Sequence, residues 1–444
     1  MKVLLAATPL TGHVNPILSI GRILVSHGHE VVLNTATSMG RRAGDIGARF
    51  VPFPPEADLD LRDMDAAFPE RKHLTGLDQL RFNFERLFFD PIPHQYAGFL
   101  DILEDFHADV LIADNFCFGT LPMLLGKRNK RPRIVHCGVS YLQCRRDDGA
   151  PFHAGYPPAH TEAQRQEYVE PRRKIEEDFL KPIHSYLDMR LAESGVKPLR
   201  MNVFDAAVSL PDVYMHSSVP GFEYPRRELP APVHFVGSLA SQTGTVALPE
   251  WAHELDGAKR VVFATQGTLA NEDPGRLIQS TLTAMADEPD VLVVVTMGGR
   301  PVNALRDPVP GNARIAAYLP FDWLLPKVDV VVTNGGYGTV NQALALGVPL
   351  VVAGLTEDKA EVSARVAWSG TGINLRTQSP SIDALKQAIR NVLDIPDFRA
   401  AAGRMAAEFA TLDTEAEVLR LVLTPPTTTS QDGDPGEQVT TPGK

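Results

Sequence analysis

The stretch that most constrains this chain runs from Val330 to Lys359, VVVTNGGYGTVNQALALGVPLVVAGLTEDK. Val330 to Val332 is a continuous β-branched run, as expected of a parallel strand buried on both faces. It breaks at Asn334-Gly335-Gly336. A helix is expected from near Thr339 through Leu344 and Leu346, with Gly347 and Pro349 ending it. Leu350 to Val352 is the next short buried strand. Strand, glycine turn, helix and strand form a βαβ unit, the building block of a parallel α/β sheet. Free N–H groups and the positive dipole end of that helix favour a phosphate at the turn. A turn that merely connects strand to helix remains the alternative on these residues.

The N-terminus repeats the logic. Lys2 to Ala7 predicts a buried strand, Thr8 to Val14 a turn, and Pro16 the first turn of a helix bearing Ile17, Ile20, Leu24 and Val25 on one face. That helix should end near Gly28, where His27 and His29 complement its dipole, and Val31 to Leu33 should be the next strand. The three spaced glycines of a dinucleotide fingerprint are missing, which argues against a dehydrogenase. His13 is placed in the loop at the C-terminal end of the first strand, the edge where such sheets bind ligands. Asp109 to Ala113 predicts another strand with Asp114 directly after it, as a functional carboxylate or a helix cap. Ile134 to Gly138 and Val233 to Gly237 are further strands, and Glu167 to Ser194 is the expected helix within a polar region.

Arg260 to Thr265 (RVVFAT) echoes Lys2 to Ala7 (KVLLAA), and each precedes a glycine turn. With 444 residues this suggests two similar α/β domains. The first would span 1–238, followed by a polar linker over 239–258. The second would span 259–423, with Val291 to Thr296 as a strand and helices over 381–393 and 397–422. The Pro/Thr/Gly-rich tail, 424–444, cannot bury a core and reads as disordered.

A net charge of −11 argues against a nucleic-acid partner. No apolar run is long enough for a transmembrane segment, and MKVLLAATPLTGHVNP lacks a signal-peptide pattern. Cys117, Cys137 and Cys144, an odd count, fit reduced thiols in a cytoplasmic protein. Asp58-Leu59-Asp60 and Asp63-Met64-Asp65 match the D-x-D of metal-dependent glycosyltransferases, but they fall in a charged loop and read as solvated acids. No Cys/His cluster has metal-ligand spacing, so no metal site is expected. Phe68, Phe82, Phe84, Phe88 and Phe89, in an irregular stretch over 51–95, read as core before ligand wall.

TNGGYGT, its helix, GVPLV and EDK together resemble the nucleotide-sugar signature of the family 1 GT-B glycosyltransferases, especially the bacterial macrolide-glycosyltransferase-like branch. The resemblance extends to about residue 420. It implies two Rossmann-like domains facing across a cleft and inverting transfer from a nucleotide sugar, with UDP expected, to a hydroxyl of a small, mostly apolar acceptor. Neither metal nor cofactor is implied. TGHVNP is similar to the family motif whose His is the catalytic base. His13 would then be that base, with Gly12 beside it, and Asp114 the carboxylate that holds it. Gly267 and Thr268, after Gln266, would approach the donor. Tyr318 would stack on the base where relatives usually have Trp, with backbone near Leu319 reading the base edge. Asn334, Gly335, Gly336, Gly338 and Thr339 would surround the pyrophosphate.

Three positions depart from the family pattern. Asn334 stands where many relatives have His, and Gln342 where relatives place a Glu on the ribose. Asp358-Lys359 replaces the Asp-Gln pair that holds sugar hydroxyls in the plant branch. Lys359 could meet a carboxylate-bearing sugar, a phosphate, or only Glu357 or Glu361. The other readings are a nucleotide-sugar epimerase of the same fold and a non-catalytic partner protein; His13 and Asp114 speak for transfer.

Overall fold

A computed structural model describes residues 1–239, 248–267, 273–301 and 304–424. The first sheet contains β1 (Lys2–Ala6), β2 (Glu30–Thr35), β3 (Arg49–Pro52), β4 (Val110–Asp114), β5 (Arg133–Gly138), β6 (Val213–His216) and β7 (Val233–Phe235). The second contains β8 (Arg260–Thr265), β9 (Val291–Thr296), β10 (Ala313–Ala316), β11 (Val330–Thr333), β12 (Leu350–Val352) and β13 (Gly372–Asn374). Their orders are β3-β2-β1-β4-β5-β6-β7 and β10-β9-β8-β11-β12-β13. All pairings are parallel, so these are two Rossmann-like α/β domains.

Strand sequences explain why helices cover both faces. Along β1, Val3 and Leu5 enter one apolar cluster with Ile17 and Ile20, while Leu4 and Ala6 enter another with Phe84 and Phe99. In the second sheet, Val330 and Val332 face one cluster and Val331 the opposite one. Successive strand side chains point to opposite faces, so a continuous apolar run needs apolar cover on both.

Both sheets reverse direction of growth at their centre, between β1 and β4 and between β8 and β11. Such a reversal opens a crevice at the C-terminal ends of the two strands. The two crevices share one cleft of about 1510 Å³, bordered by His13, Gly267, Tyr318, Gly336 and Lys359 among others.

Several elements differ from the sequence expectations. The helix after β1 starts at Thr11, so His13 lies in its first turn, and Pro16 lies inside it, not at its start. The missing proline N–H leaves the Gly12 carbonyl without its helical partner; Gly12 is exposed at the cleft. The expected 167–194 helix comprises Glu162–Ile175, a wider turn over Glu176–Leu180, and Lys181–Glu193. Its start is fixed by a reciprocal cap between Thr161 and Gln164. The stretch expected to be irregular contains the helices Gly76–Phe82 and Asn83–Phe89, and Ile92–Phe106 begins within it. The expected 397–422 helix is two helices, Pro396–Phe409 and Thr414–Leu423. The second packs Val418, Leu421 and Val422 onto the first domain's core. Thr268, linker residues 240–247 and tail residues 425–444 lie outside the described residues.

Candidate active site

Asp114 ends β4, the strand hydrogen-bonded to β1. Its carboxylate is fully buried and accepts from Thr8 N at 2.6 Å, Phe116 N at 3.0 Å and Thr8 Oγ1 at 3.2 Å. His13 Nδ1 lies 2.8 Å from Asp114 Oδ1. Burial by itself would raise the Asp114 pKa; the His13 interaction and the backbone N–H groups reverse that and hold it below its ordinary value. An ionised carboxylate only accepts, so Nδ1 carries a proton, and in the neutral ring Nε2 is the nitrogen with the free lone pair. The His13 ring packs against Phe116 at 5.2 Å and Phe88 at 6.2 Å, and its side chain is 15 % exposed. The pair is thus a fixed imidazole with a basic nitrogen, walled by aromatic rings.

The second crevice relies on backbone. Gly335 (φ 87°) and Gly267 (φ 67°) adopt left-handed conformations that L side chains resist. A Cβ on Gly335 would also lie 2.7 Å from Ser363 Oγ. The helix Tyr337–Ala345 starts two residues earlier than the periodicity predicts. Its first N–H groups lack intrahelical partners, and Gly338 and Thr339 border the cleft. Asn334 Nδ2 donates to Gln266 O at 2.6 Å, which ties the turn after β11 to the turn after β8. Gln342 borders the cleft and donates to Gly338 O at 3.2 Å.

Tyr318 follows β10 and is 43 % exposed at the cleft, whereas the Leu319 side chain is core. Leu319 can therefore contribute only backbone to a ligand. Asp358 Oδ2 accepts from Ser140 Oγ of the first domain at 2.5 Å. Lys359 is buried at the cleft and pairs with Glu357. Of the two carboxylates considered for Lys359, Glu357 is the one it meets. The acidic loop is occupied by protein groups: Asp58 accepts from Thr37, Asp60 pairs with Arg62, Asp63 caps the helix Met64–Ala67 and Asp65 pairs with Arg71. No group of metal-ligating side chains occurs among the described residues. Cys117, Cys137 and Cys144 are free and buried.

Phe84 and Phe89 are core as expected, but Phe84 and Phe88 also wall the cleft.

Residues 280–424 match the family described as Erythromycin biosynthesis protein CIII-like, C-terminal domain. The 4'-demethylrebeccamycin synthase of Lentzea aerocolonigenes is 37% identical over 422 residues, covering 95% of this chain and 98% of the relative. The UDP-glycosyltransferase 2 of Phaeomoniella chlamydospora is 33% identical over 424 residues, covering 93% and 92%. This chain is a family 1 GT-B glycosyltransferase of the bacterial macrolide branch. The crystal structure of the glycotransferase of kitacinnamycin shares the GT-B fold, with a TM-score of 0.69 at 19% identity over 95% of this chain and 98% of that one.

Sequence reading missed what joins the two domains of this glycosyltransferase. Arg365, fully buried, pairs with Glu361 at 2.7 Å on its own helix, Lys359–Trp368, and with Glu223 of the first domain at 3.0 Å. Glu223 also meets His216 Nε2 at 3.0 Å, and Tyr337 Oη lies 2.9 Å from the same nitrogen. Tyr141 and Tyr224 cover the Arg365 guanidinium at 4.5 and 4.1 Å. Burial would raise the Glu223 pKa, but Arg365 and His216 hold it well below the usual carboxylate range. Tyr337 opens the helix at the glycine turn, so the network anchors that turn to the first domain. No helix among the described residues is long and apolar enough to cross a membrane.

Proposed function

We propose that this glycosyltransferase moves a sugar with inversion from a nucleoside diphosphate sugar, UDP before others, to a hydroxyl of a small, mostly apolar acceptor. The carrying observation is the 2.8 Å His13–Asp114 pair in the cleft that also holds the glycine turn. His13 Nε2 removes the acceptor's proton, and Asp114 fixes the tautomer and stabilises the imidazolium. The freed oxygen pair attacks the anomeric carbon, and the bond to the diphosphate oxygen breaks on the opposite face. The leaving charge falls to N–H groups at Gly336, Gly338 and Thr339, aided by Asn334 and the helix dipole, while Gly335, whose own N–H is buried on Thr333 Oγ1, shapes the turn. Tyr318 stacks on the base, and Gln342 serves the ribose with one acceptor oxygen. Asp358 and Lys359 border the sugar, with Lys359's charge largely answered by Glu357.

Transfer needs no metal on this reading, and the occupied acidic loop supports that. A cytoplasmic setting is part of the proposal, supported by the three free thiols. The deciding experiment supplies UDP-α-glucose and a hydrophobic aliphatic alcohol, and reads the product by NMR. A β-glucoside is expected. An α-glucoside would overturn inversion, and no transfer from any of a panel of nucleotide sugars would overturn the reading as a whole.

A further inference from the structure

The loop after β5 carries two polar side chains that the transfer mechanism leaves unused. Gln143 is 2 % exposed, borders the cleft, and its Nε2 has no hydrogen-bond partner. His153 borders the same cleft, and its Nε2 is buried without a partner as well. Buried donors left unmade are rare and costly, so two in one cleft call for an occupant that satisfies them.

The His153 proton can be placed. Its Nδ1 lies 3.3 Å from Tyr141 Oη, an oxygen that the His153 backbone N–H also meets. With the Tyr141 hydroxyl donating to Nδ1, the ring proton sits on Nε2, where an acceptor oxygen of a ligand can meet it. Burial pushes the His153 pKa down to about 4, so the ring stays neutral near pH 7 and acts as a donor, not a cation. His153 also holds φ at 58°, a left-handed conformation uncommon for residues other than glycine. Phe204 at 5.2 Å, Phe179 at 6.0 Å and Phe84 at 6.2 Å clamp the ring. Such strain persists where packing over-determines it, often at ligand clamps.

Aromatic rings connect this corner to the reacting one: His13 to Phe88 at 6.2 Å, Phe88 to Phe84 at 5.4 Å, and Phe84 to His153 at 6.2 Å. We propose that Gln143 and His153 select the acceptor by directing two N–H groups at carbonyl-type oxygens of an aromatic scaffold, whose reacting hydroxyl lies at the His13 end of this ring path. The inference deepens the proposed acceptor side of the cleft and rests on it.

A matched pair of probes tests it: 2-hydroxyanthraquinone and 2-hydroxyanthracene, the second lacking the carbonyls. Equilibrium dialysis against the full chain reads binding without requiring turnover. The quinone should bind roughly 10-fold tighter or better, because a site built to donate rejects an analogue that cannot accept. Gln143→Leu and His153→Phe, made separately, should each narrow that gap, with uridine diphosphate binding kept as the check on folding. Gln143→Leu keeps the test alive should the strained His153 position refuse Phe. Equal binding of the two probes by the wild type, no binding of either, or an unchanged gap in the folded variants would overturn the inference. Loss of this preference alongside intact transfer to other alcohols would leave the proposed function standing.

Discussion

The two switch points occupy the same place in sheets of the same order, yet they are made of different material. At β1/β4 the working groups are side chains: an imidazole fixed by a buried carboxylate. At β8/β11 the proposed ones are main-chain groups, in turns shaped by two left-handed glycines and tied together by an amide. Both helices place a glycine second, Gly12 and Gly338, and a Cβ at either would meet nothing within 4 Å. Openness at the helix tip is therefore shared, while the proposed mechanism divides proton transfer and charge stabilisation between the two corners. A proton acceptor must be one group with one fixed lone pair, whereas a diphosphate is best met by several N–H groups at once.

The comparison breaks most sharply at His13. His13→Ala should lower transfer to an aliphatic alcohol by roughly 10²-fold or more while nucleotide binding survives on the other domain. Asp114→Asn should also be slow, and the double variant little worse than His13→Ala, because groups acting as one unit are not additive. Steady-state kinetics decide it. Near-normal turnover of His13→Ala, or additive losses, would dissolve the pair. An acidic phenol is a poor substrate for this test because it ionises without help.

Next comes the connection between the corners. Glu223→Gln leaves Arg365 with Glu361 alone, and breaking a buried pair costs about 3 kcal/mol. The sign of its pH dependence follows from a folded pKa held below the unfolded one. Stability from Glu223 is complete above the ordinary carboxylate value of about 4.3 and drains as pH falls from there toward the depressed folded value. His216, Arg226, Arg365, Tyr337, Tyr214, Tyr224 and Cys144 are the titratable and charged groups that face it, and Leu142 N donates to it at 3.0 Å. Melting curves from pH 7 to 3 should show the wild type losing stability below about pH 5 more steeply than Glu223→Gln. Parallel curves would mean that Glu223 titrates alike in both states.

Much of this was legible in the chain. Continuous β-branched runs gave away strands buried on both faces, and TGHVNP and TNGGYGT fell where both sheets reverse. The helix starts were misplaced for a physical reason: neither Leu10 nor Gly336 makes a side-chain cap hydrogen bond. Cap residues are the usual start signal, and their absence here keeps the first N–H groups available to a ligand. Glu361 and Arg365, spaced i, i+4, look in sequence like a solvated surface pair. Nothing local reveals that the other domain covers them. His153 was hidden for a similar reason, since its aromatic cage comes from Phe84, Phe179 and Phe204, far apart in the chain.

Tyr318 sharpens the backbone side of the comparison. Tyr318→Ala should weaken uridine diphosphate binding by roughly 1–2 kcal/mol, the scale of one base–aromatic stack. His13→Ala should leave the same constant unmoved. Calorimetry measures both, and an unchanged affinity in Tyr318→Ala would remove the ring from the nucleotide site. Uridine and thymidine donors should differ less than uridine and guanosine ones, because a single methyl group discriminates weakly.

The smallest expected effect is none, and it bears on how the second corner works. A metal-dependent transferase neutralises the diphosphate with a cation held by free carboxylates. Here Asp63 and Asp65 reach the cleft, but Asp63 is spent on Ala66 N and Asp65 on Arg71, while Asp358 takes the Ser140 hydroxyl. Burial also pushes the Asp358 pKa up, which weakens it as a cation ligand. If N–H groups and a helix dipole carry the leaving charge instead, turnover in excess EDTA should equal turnover without it. Activity lost to the chelator and restored by manganese would return that work to the acidic loop and end the division between a side-chain corner and a main-chain corner.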